Sequence, residues 1–368
     1  MGIDYPGGQW LAQGRTAFGV VALGFLLAVA GRDAVAQDTS GEDDIINTVR
    51  QMASISPGDQ RRIADWVQAR VDALAKTSPA DRTTAAIKFR DRFREQFTHR
   101  ENSAQFKQQL PAQTSIVAIT QFAGPNVDPF VGRALGRVLL DMAGPEMIPA
   151  FVAGLKSKDP ATRYFCAEGL LTQRNALAAD KDALDKTVKA IRESAQVETS
   201  PVALGRLYLA LSVPANQAAA VFDAFMAIFE KRLEYRRGSV VIADGAENDA
   251  YEYFRNSAVL NALSQPQKES LVRALAVFLR MDAQRYNSSE LAFDEIDKLE
   301  RALDAEEEML TSLVGAGKGG NLRDVLNSGG FEQRGDVQTQ ALLWVGDAGT
   351  NQQGALNAAP WNVPVGAP

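Results

Sequence analysis

Residues Gly144 to Leu171 read GPEMIPAFVAGLKSKDPATRYFCAEGLL, and their pattern is that of two short helices with a cap between them. Ile148, Phe151, Val152 and Leu155 recur at helical spacing and form one apolar stripe. Asp159-Pro160 ends that helix and starts the next. The aspartate can accept from the orphan backbone donors of a new N-terminus, and the proline has a suitable φ where its missing N–H costs nothing. The second helix carries Phe165, Cys166, Ala167, Leu170 and Leu171 on two sides, which predicts a helix covered by its own partner and by the next pair.

The same punctuation recurs along the chain. Ser56-Pro57, Ser78-Pro79, Asp128-Pro129 and Ser200-Pro201 again pair an N-cap residue with a proline at the first helical position. No run alternates strictly enough to suggest a sheet. Val202 to Leu211 forms, with Ala183 to Ser194, a second pair. Val221, Ala224, Phe225, Ile228 and Phe229 mark another helix, and Leu271, Ala274, Leu275, Phe278 and Leu279 answer the segment from Asp249 to Leu263. With Pro149, Asp159, Arg163 and Ala167 in place, the opening stretch resembles a HEAT-like repeat, the unit of an α-solenoid. The resemblance implies a stack of helix pairs that offers an extended surface to another macromolecule. It also implies that Arg163, and more loosely Arg206 and Arg255, pair with acidic residues of neighbouring units.

The expected organisation is all-α, with four parts. Residues 1–36 read as a secretory signal: Arg15, an apolar run from Ala17 to Ala30, then Ala34-Val35-Ala36. An uncleaved N-terminal anchor in the inner membrane is the alternative, and either reading places the remainder in the bacterial envelope, periplasmic or secreted. Residues 37–112 form an N-terminal helical segment, and Pro111 is a candidate break in a helix over residues 103–123. Residues 113–314 form the repeat array, closed by a capping helix. Residues 315–368, rich in Gly, Asn, Gln and Ala, form a partly disordered tail in which Leu342, Leu343 and Trp344 dock back.

The chain carries a net charge of −6, which offers no bulk attraction to nucleic acid or to an anionic membrane. Cys166 and His99 are the only residues of their kinds, so an internal disulfide, the usual Cys/His zinc sites and Ser-His-Asp or Cys-His catalysis lack their partners. Gly315-Ala316-Gly317-Lys318-Gly319 lacks the first glycine and the Ser/Thr of a phosphate loop, and residues 244–249 lack the alternating oxygens of a calcium loop. No cofactor is expected.

Candidate partner-binding residues come from charge. The helix bearing Ile87, Phe89, Phe93 and Phe97 carries Lys88, Arg90, Arg92 and Arg94 between its phenylalanines, and the next but one carries Arg133 and Arg137 one turn apart. Lys231, Arg232, Arg236 and Arg237 complement the negative end of their own helix. Residues 238–248 interrupt the pattern as a loop or a small hairpin, and beside it stand Tyr251, Tyr253, Arg255 and Asn256. The expectation is a non-catalytic scaffold that holds a partner protein. One alternative is an all-helical toroid enzyme acting on an acidic polysaccharide, with Tyr251 as acid or base and Arg255 neutralising a uronate. The other is a structural homo-oligomer joined through Leu299 and Leu303, a seam that suits a cap helix or a short coiled coil. Asp294, Glu295, Asp297, Glu306, Glu307 and Glu308 are expected on the outer side of that helix.

Overall fold

The computed structural model describes residues 40–365 except 125–126, 143, 239–244 and 289–290; the expected signal segment and most of the 238–248 loop lie outside the described residues. The protein is all-α, and among the described residues there are seventeen α-helices and no strand. In chain order they are α1 (Ser40–Val49), α2 (Pro57–Ala75), α3 (Arg82–Thr98), α4 (Ala104–Phe122), α5 (Pro129–Asp141), α6 (Ile148–Gly154), α7 (Pro160–Thr172), α8 (Arg174–Ala179) and α9 (Lys181–Ala195). Then follow α10 (Pro201–Leu211), α11 (Ala218–Gly238), α12 (Asn248–Arg255), α13 (Ser257–Ala262), α14 (Gln265–Tyr286), α15 (Phe293–Val314), α16 (Leu322–Gly329) and α17 (Arg334–Val345).

The caps explain why helices start where they do. Asp128 accepts from the Phe130 N–H at 2.8 Å, Asp159 from the Thr162 N–H at 2.8 Å and Ser200 from the Ala203 N–H at 3.4 Å. Ser56 and Asp59 form a full capping box at α2. Ser78-Pro79 behaves differently: it opens a single 3-10 turn, with Ser78 Oγ donating to Asp81, and α3 begins three residues later.

Two rows of helices follow from the packing. In the first, α2, α4, α6, α9, α11, α14 and α17 each touch the next; in the second, α3, α5, α7, α10, α12 and α15 do the same. The rows also touch each other, most closely at α6–α7 and α14–α15, and one continuous apolar core runs between them from Ile46 to Val363. Close approach within the second row needs small residues. A β-carbon on Gly136 of α5 would come within 2.9 Å of the Phe165 β-carbon on α7.

Three expectations are corrected. Pro111 does not break its helix: it is buried inside α4, whose contacts with α2 on one side and α6 on the other outweigh the lost backbone bond of about 3 kcal/mol. The helix spans Ala104–Phe122, close to the expected 103–123. Among the described residues the C-terminal part is folded rather than disordered: α16 and α17 pack on α15 and α14, and Trp344, Leu356, Trp361 and Val363 are buried. That segment has too little apolar surface to fold alone and shares the core of the stack.

The covering of α15 by α16 and α17 overturns the third expectation. α15 is not an outermost cap, so Glu306 and Glu307 point inward and are buried. The seam residues Leu299 and Leu303 are also fully buried within this chain, in a helix that packs on α14 and α12. They are not displayed to a second copy.

Candidate functional site

The arginines of the second row link its helices. Arg90 of α3 donates to Asp141 of α5 through Nε and Nη2, the latter at 2.7 Å. Arg133 of α5 reaches Asp159 at the start of α7 at 2.6 Å. Arg206 of α10 pairs with Glu168 of α7 at 3.2 Å, and Arg255 of α12 pairs with Glu308 of α15. Arg163 makes a buried pair at 2.6 Å with Glu198, in the connection from α9 to α10. Arginine also lies over aromatic rings across these junctions, Arg137 over Phe165 at 5.0 Å and Arg206 over Tyr164 at 5.4 Å.

The basic face of α3 is therefore partly neutralised. Arg92 is held by Asp43 and Glu95, Arg90 by Asp141, while Lys88 and Arg94 remain exposed. Arg94 borders a concavity of about 320 Å³ between α3 and α5, floored by Phe93, Phe97, Val138 and Met142.

The junction of α10 with α12 differs from the others. Among the described residues no ion pair joins these two helices, and a groove opens there as two adjoining concavities of about 260 and 360 Å³. Leu209 of α10 and Asp249 of α12 border both. The smaller one continues along Val202, Gly205 and Arg206; the larger one continues past Glu252, Tyr253 and Arg174. Val202 is 68% exposed on the rim. The Asp249 carboxylate lies over Gly205, where a β-carbon would be 2.6 Å from Oδ2. Burial pushes the Asp249 carboxyl above its ordinary range; Glu252 adds to this and Arg206 opposes it. Among the described residues the Asp249 side chain has no hydrogen-bond or ion-pair partner.

Behind the groove wall lies a buried ionic cluster. Arg232 Nε donates to Glu247 at 2.6 Å; Arg236, also on α11, donates to Glu247 at 2.8 Å and to both oxygens of Asp282 on α14 at 2.9 and 3.0 Å. Glu306 of α15 faces Asp282. Burial first, and then Asp282, holds the Glu306 carboxyl well above the ordinary range. Both carboxylate oxygens of Glu306 are buried without a hydrogen-bond partner among the described residues, and burial, opposed by Arg236, raises the Asp282 carboxyl as well. Two guanidiniums, Arg232 and Arg236, thus lie among three buried carboxyl groups. For Glu247, burial acts upward but Arg236 and Arg232 outweigh it and lower its pKa.

Tyr251 belongs to this interior. It is 1% exposed, and burial, Glu306 and Glu247 all raise its hydroxyl well above the ordinary range. Arg255 pairs outward with Glu308 instead, and Tyr253 stacks on Phe225 at 5.3 Å. The expected grouping of Tyr251 with Arg255 does not form. The segment Gly245–Asp249 joins both regions: Glu247 is fixed inside by two arginines, while Ala246 and Asp249 form groove wall.

Sequence reasoning missed Gly205, Asp249 and the cluster around Arg236. The only signal for the cluster was Glu306, the polar residue interrupting the apolar seam of α15. No family model, no curated protein and no solved structure matches this chain.

Proposed function

We propose that this chain is an exported, non-catalytic binding module built from HEAT-like helical hairpins, whose second row holds a partner protein in the bacterial envelope. The observation that carries the reading is the groove at the α10–α12 junction, an open, mixed polar and apolar surface backed by a buried ion-paired wall. Grooves between helices whose walls are fixed from behind bind with little ordering cost. The arginines Arg133, Arg163, Arg206 and Arg255 act as ties between units, which leaves Lys88, Arg94 and the groove as the contact surface.

The toroid-enzyme reading is disfavoured by the sealed position of Tyr251, and the oligomer reading by the internal use of Leu299 and Leu303. A photo-crosslinking residue in place of Val202, introduced into the full chain in its native envelope, tests the proposal. One protein adduct in stoichiometric yield, absent when the same residue replaces buried Val67 on α2, is the expected result. Adducts with glycan alone, or with another copy of this chain alone, overturn it.

A further inference from the structure

Four junctions of the second row are each closed by an arginine donating to a carboxylate on the neighbouring unit: Arg90–Asp141, Arg133–Asp159, Arg206–Glu168 and Arg255–Glu308. The α10–α12 junction has the carboxylate, Asp249, without the guanidinium. Arg206 is near enough to act on Asp249 through space, but it is committed to Glu168 and Tyr164. The space where a guanidinium would lie is open on both sides of Asp249, and each concavity is far larger than the roughly 30 Å³ that one water occupies.

We infer that the α10–α12 groove receives an arginine side chain from the partner protein, with its guanidinium on Asp249 and its methylene stem along Leu209 and Val202. This rests on the binding-module reading above. Charge complementarity selects a cation. Across the groove Asp249 and Glu252, one turn apart on α12, meet two cations, Arg174 and Arg206, and Arg206 is already paired with Glu168, so carboxylate charge is left uncompensated. The half-buried setting selects arginine over lysine. A guanidinium is less strongly hydrated than an ammonium, and its planar fork can engage both oxygens of one carboxylate, as Arg133 engages Asp159. The apolar rim suits the stem of a long side chain.

Gly205 gives the groove its depth. Any β-carbon there would collide with the Asp249 carboxylate and displace it from the wall.

The test uses the full chain and two small probes, N-acetyl-arginine methylamide and its neutral isostere N-acetyl-citrulline methylamide, with amide NMR shifts at Gly205 and Ala246 as the readout. Saturable shifts with the arginine probe alone are expected. Asp249→Asn should weaken that binding by about tenfold, in line with the loss of one partner of a partly desolvated charge pair. Gly205→Ala should do the same while leaving the thermal midpoint within a few degrees. Equal shifts from both probes, or undiminished binding in Asp249→Asn, overturn the inference. The two readings fail separately: a crosslinked partner at position 202 without arginine binding removes only this inference, and arginine binding without a partner removes only the scaffold reading.

Discussion

Glu306 faces Asp282 inside the protein, and burial together with that neighbour raises its carboxyl well above the ordinary range. The sign of the resulting pH dependence is fixed. Above the ordinary glutamate value of 4.5 the unfolded chain has lost this proton while the native protein keeps it, so rising pH favours unfolding. The slope reaches about 1.4 kcal/mol per pH unit until the raised native pKa is passed. Glu247 has the opposite sign, since its lowered pKa stabilises the fold at neutral pH and is lost only on acidification. Denaturant melts at pH 6 and pH 9 should therefore show the wild type losing stability over that interval and Glu306→Gln losing much less of it. An equal loss in both proteins would show that Glu306 is ionised in the fold.

The two arginine ties flanking α7 should differ in their contribution. Arg163 and Glu198 are 5% and 0% exposed at their side chains, so Arg163→Ala leaves a carboxylate in the interior and should cost about 3–5 kcal/mol. The Arg133 side chain is 53% exposed and its partner Asp159, though only 6% exposed, keeps donors from the Thr162 N–H and hydroxyl, so Arg133→Ala should cost less, about 1–2 kcal/mol. Chemical denaturation of both variants checks the difference. Similar costs would mean that exposure does not govern these pairs.

Glu307 fastens the C-terminal segment. Its carboxylate accepts from the Leu322 N–H at 2.7 Å, the Arg323 N–H at 2.9 Å and Trp344 Nε1 at 3.2 Å. Glu307→Ala removes the acceptor for all three donors and should cost about 2 kcal/mol or more. The loss should be local, releasing α16 and α17 first. Trypsin should cut at Lys318 or Arg323 faster in the variant while residues 40–314 stay protected; unchanged cleavage would show that apolar contacts alone hold the segment.

Cys166 is fully buried in α7, and burial raises its thiol well above the ordinary value. It should resist a thiol reagent in the native protein and react only as the chain unfolds. Labelling within minutes under native conditions would show that α7 opens locally.

Features governed by nearest neighbours were legible in the sequence. The caps at Asp128, Asp159 and Ser200 lie within three residues of their donors, and the stripe of Phe89 and Phe93 faces the core. Arg163 pairs with an acidic residue of the next unit, as the family resemblance implied. What escaped was the fate of charged residues. Arg236 reads as a dipole partner at the end of α11, but its carboxylate on α14 lies 46 residues away, and no local pattern announces it. Glu306 and Glu307 read as outer carboxylates because nothing local to α15 says where the docking segment around Trp344 lands. Asp249 is conspicuous only for the partner it lacks, which requires the neighbouring junctions for comparison.

The packing of α16, α17 and the chain through Val363 against α14 and α15 bears on how long such a stack can grow. Each added hairpin in a row of like units presents a fresh apolar flank, which invites another unit or another molecule. Here the flank beyond the last long hairpin is stoppered by Trp344, Leu356 and Trp361 from the same chain, and Glu307 latches the stopper in place. At that end the two rows of helices therefore finish in a face that the same chain has already covered.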